Sequence, residues 1–319
     1  MVPLFGQILG CSSPVDPPTG LSLVDRAPLQ APIATLLSPE FDDGFGSAVA
    51  VHDGDVWVGA PHGSEGRLYR WSSDQMTLAL SGPGRLGSHL SSTDSTLLVS
   101  APLADRVLDH TGADIQAGEP SMGIALSRRG DVAWASGWRT SDGTEGSSPG
   151  RPSALHRDGS LLAIGMAHGP VALAIGEMQL MRPQPGDEAG FSMTSADIDG
   201  QRAWIVGSPA ANRILAVSQD DLSILREWNG TGRFGHAIAV ADLDGDDRED
   251  LVVGAPFDGV SGNVVWFSNM STTPSPLTIE APDAQGIGTA LVTDGSRLIV
   301  GAPGSPITAG QVIMVPLPL

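Results

Sequence analysis

The chain has 319 residues, including 41 glycines and 25 prolines, and 41% of it is apolar. This composition predicts many turns joining short buried segments. The net charge of −19 repels phosphate backbones, which excludes nucleic acid as a natural partner and favours divalent cations and basic partners. The single cysteine, Cys11, excludes an internal disulfide framework and a cysteine-based zinc site. No window approaches the roughly 18 to 20 apolar residues that cross a bilayer, so no transmembrane helix is expected.

The N-terminal segment is similar to a lipoprotein signal. Ile8-Leu9-Gly10-Cys11 resembles a bacterial lipobox, in which a lipid-modified cysteine follows small and apolar residues, and the Pro-rich stretch 12–20 would be its tether. Only ten residues precede Cys11 and none is basic, so the alternative is a disordered tail with a free thiol. We expect residues 1–30 to form this segment, with membrane attachment only through lipidation of Cys11.

Internal repeats organise the rest of the chain. Each copy has an apolar–Gly pair, a short strand, a polar turn, a second strand and a Gly-Ala-Pro-like motif, as in 45–61 and 287–303. The glycine of the pair and the small residue that opens the second motif are 13 residues apart in four copies. The small residues of the second motif recur at positions 59, 100, 136, 165, 207, 254 and 301.

Most copies continue with two more strand-like runs, such as Leu277–Glu280 after the sixth motif. Four short antiparallel strands in about 40 residues are typical of a β-propeller blade. The sequence therefore predicts an all-β propeller, with seven four-stranded antiparallel blades, as one domain over residues 31–319. The last copy lacks an outer strand, and Ile33–Leu37 has no blade of its own, so we expect this N-terminal strand to close the ring.

The third repeat, about 123–150, does not fit this scheme. The third and fourth motif positions are only 29 residues apart, and 139–150 is almost wholly small and polar. Two ordinary outer strands do not fit into that length. We expect either a truncated blade with a mobile loop, or six blades and an insertion.

A carboxylate-rich loop in the sixth repeat is the most specific chemical signal. Asp242, Asp244, Asp246 and Asp250 occupy relative positions 1, 3, 5 and 9 of one turn, and the main-chain carbonyl of Arg248 lies between the last two. Ca²⁺ takes six to eight oxygen ligands from carboxylates, carbonyls and water. These five residues are the predicted metal ligands. The alternative is a solvated acidic turn.

Together these motifs resemble FG-GAP repeat proteins, and so the N-terminal β-propeller of integrin α-subunits. The resemblance runs from about residue 38 to the C-terminus and implies that the loop at 242–250 binds Ca²⁺. Asp247 stands where the family usually has glycine. A similar start at Asp197-Ile198-Asp199-Gly200 lacks the later carboxylates, so we interpret it as a decayed site.

Other motifs have simpler interpretations. Arg129-Gly130-Asp131 spells an adhesion tripeptide, but it aligns with a hairpin turn of the first repeat and is interpreted as a β-turn. The seven tryptophans mostly fall in predicted strands and are expected to pack between blades, with Trp138 the exception because it precedes the irregular segment.

The sequence contains no catalytic constellation, so we do not expect an enzyme. The resemblance implies a non-catalytic, calcium-stabilised binding or scaffold protein of the cell envelope or extracellular surface. Its partner would be a protein or glycan bound by the loops of one propeller face. The alternative is an enzyme with an active site at the central channel.

Overall fold

The computed structural model describes residues 34–40, 43–148, 151–166, 171–174, 179–181, 186–275, 277, 279, 281 and 283–317. Within them every sheet is antiparallel, and six sheets have four strands and one has three. Cys11 and Ile33 lie outside the described residues. The described part contains no helix that is both long and apolar enough to span a bilayer.

The sheets follow one another along the chain, and each is called a blade. Blade one has strands β2 (Ala48–His52), β3 (Asp55–Ala60), β4 (Gly66–Ser72) and β5 (Gln75–Gly82). Blade two has β6 (Leu90–Ser92), β7 (Leu97–Ala101), β8 (Arg106–Asp109) and β9 (Asp114–Ala117). Blade three has β10 (Ala125–Leu126), β11 (Val132–Trp134), β12 (Gly137–Arg139) and β13 (Glu145–Ser147). Blade four has β14 (Ala154–Asp158), β15 (Leu161–Gly165), β16 (Val171–Ala174) and β17 (Gln179–Met181).

The remaining blades follow the same order. Blade five has β18 (Ser192–Ile198), β19 (Gln201–Ser208), β20 (Arg213–Ser218) and β21 (Ile224–Asn229). Blade six has β22 (Ala237–Ala241), β23 (Asp250–Ala255) and β24 (Asn263–Phe267). Blade seven has β25 (Ala290–Thr293), β26 (Arg297–Ala302) and β27 (Gln311–Pro316), with β1 (Ala34–Leu37) as its outer strand.

The predicted ring closure is confirmed. Ala34 to Leu37 pair antiparallel with Met314 to Gln311, so the first strand of the described chain completes the last blade. The pairing covers the open edge of β27, which would otherwise present unpaired backbone groups. The first and last strands of the described residues therefore share one sheet.

The core is divided among the contacts between neighbouring blades. Seven clusters of buried side chains fill these contacts, one for each adjacent pair of blades, including the pair of blades seven and one. Because both faces of each blade are covered, the second strands are buried without polar alternation, as in β23 and β7. Six clusters contain one tryptophan each, and the partly buried Trp71 packs against the seventh; the six are Trp57, Trp134, Trp138, Trp204, Trp228 and Trp266.

The structure corrects two expectations about individual blades. The third repeat has neither a mobile loop in place of its outer strands nor an insertion, because 123–148 forms a four-stranded sheet whose strands have only two or three residues. Trp138 lies in its third strand and is 6% exposed, so it belongs to the core. In blade six the described residues contain no fourth strand. Of the expected strand Leu277–Glu280, positions 278 and 280 lie outside the described residues, and Ser275 makes an isolated bridge to Trp266.

The topology fixes two faces. The innermost strand of each blade begins after the apolar–Gly pair and ends in a hairpin to the second strand, so all apolar–Gly pairs lie at one end of the ring. We call this end the FG face and the opposite end the hairpin face. The loops that join second and third strands return to the FG face.

Candidate functional site: the aspartate loop

The aspartate loop, residues 242–250, joins β22 to β23 on the hairpin face of blade six. Ligand oxygens of Asp242, Asp244 and Asp250 all lie within 4.8 Å of one another. Three of the five predicted ligands therefore converge on one point.

Backbone hydrogen bonds hold two of these carboxylates in place. The Asp242 carboxylate accepts the N–H groups of Gly245, at 2.8 Å, and of Asp247, at 2.9 Å, which folds the loop back on its first residue. Asp250 is fully buried at the start of β23 and accepts the N–H groups of Leu243, at 2.9 Å, and of Asn269, at 2.7 Å. Both residues are thus fixed by the backbone around them.

The third carboxylate and the loop as a whole contact the segment after β24. Ser268 and Asn269 belong to a single 3₁₀ turn, Ser268–Met270, that follows this strand. The Ser268 hydroxyl donates to Asp244 at 3.2 Å, and the Asn269 side-chain amide donates to Asp246 at 3.0 Å. Sequence reasoning missed both residues because they lie 18 or more positions beyond the loop and carry no motif of their own.

The electrostatics of the group favour a cation. Burial is the main cause that raises the pKa of Asp250 above its usual value, and the nearby negative charge of Asp244 raises it further. A buried carboxylate beside like charges is stabilised in its ionised form by a positive ion. The donors are all oxygens, which suits a hard divalent cation such as Ca²⁺ rather than a soft metal.

The Asp246 carboxylate is not among the three that converge, and it has other partners. Asp246 accepts from Asn269 and forms an ion pair with the Arg248 guanidinium at 3.0 Å. The hydrogen bond from Asn269 is the main cause that lowers the pKa of Asp246. Asp247 adopts a φ of +62°, the left-handed conformation that explains why this position usually carries glycine.

The similar start in blade five does not assemble a comparable group. Asp199 and Gly200 form a two-residue turn between β18 and β19. The Asp199 carboxylate pairs with Arg226, and Asp197 accepts the N–H of Gly200 at 2.7 Å. These contacts agree with the interpretation of a decayed site.

The adhesion tripeptide is a turn in the structure, in agreement with its interpretation. Arg129 and Gly130 lie between β10 and β11, and Asp131 is fully buried. Its carboxylate accepts the Ser127 hydroxyl at 2.6 Å and lies 3.3 Å from the Arg157 guanidinium. A carboxylate held inside the blade cannot be presented to a receptor.

Comparison with known proteins agrees with the repeats. Residues 234–267, which include the aspartate loop, match the FG-GAP repeat model. The chain is 33% identical over 75 residues to integrin alpha-PS2 of Drosophila melanogaster, covering 21% of this chain and 5% of the integrin. It is 37% identical over 76 residues to human integrin alpha-IIb, covering 21% of this chain and 7% of the integrin.

A second kind of relative is human phosphatidylinositol-glycan-specific phospholipase D, 31% identical over 163 residues, covering 38% of this chain and 19% of that protein. The chain thus spans less than a fifth of the length of the curated relatives it matches. A chain in the crystal structure of the mitotic checkpoint complex shares the fold, with a TM-score of 0.67 at 13% identity over 98% of this chain and 99% of that one. Residues 234–267 thus match an FG-GAP repeat, and the described chain is a β-propeller that resembles the integrin α-subunits.

Proposed function

We propose that this FG-GAP propeller is a non-catalytic, calcium-stabilised protein that binds a protein or glycan partner through its FG face, at the cell envelope or extracellular surface. Lipidation of Cys11 would provide the membrane attachment. The observation that carries the binding role is the set of exposed apolar side chains on the loops of the FG face.

Leu103, Phe257, Val260 and Ile307 are 65%, 67%, 89% and 84% exposed. They lie in three loops, each joining the second and third strands of a blade, so all four belong to the FG face. Large exposed apolar groups on one side of a monomer are typical of an interaction surface, and aromatic anchors such as Phe257 often supply much of its affinity. Their apolar character favours a protein over a glycan.

A capture experiment tests the binding role. The purified chain is immobilised and exposed to an envelope extract, and the amount of each bound component is compared between variants. Phe257→Ser with Val260→Ser should abolish the capture of the specific partner. Leu78→Ser, which alters an exposed leucine on the outer strand β5, is the matched control and should leave capture unchanged. Equal capture by all three proteins would contradict the assignment of the FG face.

The calcium role is proposed to be structural, because the aspartate loop lies on the hairpin face and joins the two innermost strands of blade six. Asp242, Asp244 and Asp250 would coordinate the ion, and the Asp246 carboxylate would leave its ion pair with Arg248 to complete the set together with the Arg248 carbonyl. Bound Ca²⁺ would offset the repulsion among the carboxylates and fix the loop against Ser268 and Asn269.

Calorimetry with and without a chelator tests this role. A ligand present at about 100 times its Kd stabilises the folded state by about 2.7 kcal/mol, so chelation should lower Tm by several degrees. Asp244→Asn should abolish the difference between the two conditions. Asp199→Asn, at the matching position of blade five, should retain it. A Tm that chelator does not change in the wild-type protein would refute the calcium proposal.

The alternative, an enzyme with its site in the central channel, has some support from the phospholipase D relatives. His156 lines the channel, and its Nε2 lies 3.0 Å from the Ser195 hydroxyl. However, burial lowers the pKa of His156 to about 4, which makes it a weak general base at neutral pH. Ser195 is 6% exposed and also accepts from the Arg202 guanidinium at 2.8 Å. These contacts favour a structural pair over a nucleophile.

A further inference from the structure

One position of the repeat differs from blade to blade in a way that concentrates positive charge at the FG face. It is the residue directly before each apolar–Gly pair or its equivalent. In chain order this position carries Gly44, Arg85, Ser121, Arg151, Glu188, Arg233 and Gly286. Arg85 and Arg233 have φ values of +60° and +64°, a conformation that is uncommon for residues other than glycine. Ser121 and Glu188, at the same position of other blades, share it, so this conformation belongs to the turn of the repeat rather than to the arginines.

Arg85 and Arg151 line one cavity of about 600 Å³ where the central channel opens on the FG face. His89 and His236 line it too, together with hydroxyl groups that include Ser88. No described residue that lines this cavity is an aspartate or a glutamate. This is unusual in a chain with a net charge of −19.

The arginines at this position of the repeat differ in their partners. Arg233 forms an ion pair with Glu188, so these two residues neutralise each other. Arg85 and Arg151 are exposed, and neither forms an ion pair with any described residue. Most other arginines in the described part of the chain are paired with carboxylates. Among the described residues, the mouth of the channel therefore has two guanidinium groups without a carboxylate partner.

The histidines contribute hydrogen-bonding capacity rather than charge at neutral pH. His236 contacts the Thr289 carbonyl through Nδ1 at 3.2 Å, which fixes the ring, and the tilted ring of Phe191 packs against it at a centroid distance of 4.7 Å. The Arg233 guanidinium lies 5.6 Å from the centre of the same Phe191 ring. These contacts hold the side chains of His236 and Phe191 in fixed positions at the wall of the mouth.

We propose that the mouth of the channel binds an acidic peptide segment, with carboxylates paired to Arg85 and Arg151. Guanidinium groups present planar donors that match a carboxylate in bidentate geometry. The exposed Leu103 lines the same cavity, so the site offers apolar contact beside the charge, as a peptide requires and a small inorganic anion does not. The proposal rests on the proposed function, since it names the chemistry that the partner brings to the FG face.

The test is isothermal titration of the full chain with hexaglutamate at low ionic strength and without added Ca²⁺, which the peptide would also bind. Hexaglutamine is the uncharged control ligand. Arg85→Gln and Arg151→Gln together should weaken hexaglutamate binding at least tenfold. Arg128→Gln is the matched control, because Arg128 also lacks an ion pair within the described residues but lines the opposite part of the channel. It should change binding less than twofold, and the Tm of each variant verifies that it is folded.

Several results would overturn the proposal. The proposal is wrong if hexaglutamate does not bind, or if hexaglutamine binds as tightly as hexaglutamate. It is also wrong if Arg128→Gln weakens binding as much as the Arg85 and Arg151 substitutions do, because that result would indicate non-specific charge attraction. Binding of inorganic phosphate with the same arginine dependence, but not of hexaglutamate, would overturn the assignment of a peptide. The two proposals can fail separately, because hexaglutamate binding does not depend on Phe257 or Val260.

Discussion

The spacing between blades can be tested by adding a single methyl group. In blade six, Gly254 of β23 faces the backbone of Gly288 in the apolar–Gly pair of blade seven. A Cβ added at Gly254 would lie 1.9 Å from the Gly288 carbonyl oxygen. Four other blade contacts are similarly close, and one of them, Gly301 against Gly46 at 2.1 Å, joins the last blade to the first.

Gly254→Ala should therefore destabilise the fold strongly. Relieving the contact requires the two backbones to separate by about 1 Å, because neither atom belongs to a flexible side chain. That movement would loosen the buried cluster between blades six and seven, which includes Trp266. Overpacking of this kind costs about 1–3 kcal/mol and occasionally more, and we expect the upper end of that range. At about 2–4 °C for each kcal/mol, Tm should fall by about 6–12 °C.

The matched control is Gly82→Ala, at the end of the outer strand β5. An added Cβ there would meet only the tip of Leu86, at 3.9 Å, and the backbone does not require a positive φ. Alanine at such a site is neutral or slightly stabilising, because it restricts the unfolded chain. Thermal and urea unfolding of both variants measure the difference. A Gly254→Ala protein within about 0.5 kcal/mol of Gly82→Ala would refute the argument that backbone proximity sets the glycine of each motif.

Two further predictions concern the closure and acid stability. Deleting residues 1–37 removes β1 and exposes the edge of β27. The Tm of this truncated protein should be clearly lower than the Tm after deletion of residues 1–20. Equal Tm values for the two truncated proteins would contradict the closure. Burial lowers the pKa of His89, His156 and His236 from 6.5 to about 4. As the pH falls from about 6.5 to about 4, these histidines take up protons in the unfolded chain but not yet in the folded one. The free energy of unfolding therefore decreases over this range, by up to about 3 kcal/mol for each histidine. The free energy of unfolding in urea should depend less steeply on pH in His236→Gln than in a variant of the exposed His62. Identical slopes for the two variants would contradict burial as the cause.

The fold can be predicted because its strongest constraints recur in the sequence. The small residue at 59, 165, 207, 254 and 301 is glycine, and in each case an added Cβ would collide with the backbone of the next blade. Because the same steric restriction applies at each of these blade contacts, glycine recurs at the same position of the repeat. This recurrence can be detected in the amino-acid sequence. The closure follows from the same pattern, since the last repeat has one strand too few and the start of the chain has one too many.

The third blade cannot be predicted in this way, because strands of two or three residues have no periodicity to detect. Its order depends on contacts that are distant in sequence or specific to one turn. Asp131 accepts the N–H of Ser141 and pairs with Arg157, while Trp138 fills the space towards blade four. The small polar residues of this segment therefore indicate a loop by composition, although buried hydrogen bonds make it a sheet.

The two candidate sites differ in how they arise from the chain, and this explains why the sequence indicates only one of them. The aspartate loop is local: nine consecutive residues contain its carboxylates, and the added contacts of Ser268 and Asn269 only support it. The residues at the mouth of the channel are distant in sequence, because Arg85 and Arg151 belong to different blades and share only their position in the repeat. Each alone resembles an ordinary surface residue. The ring brings equivalent positions to one opening, so the charge of the mouth depends on which blades carry arginine and on whether a neighbouring glutamate, as at Glu188, neutralises it. In a propeller, binding specificity of this kind can change one blade at a time without altering the residues that hold the blades together.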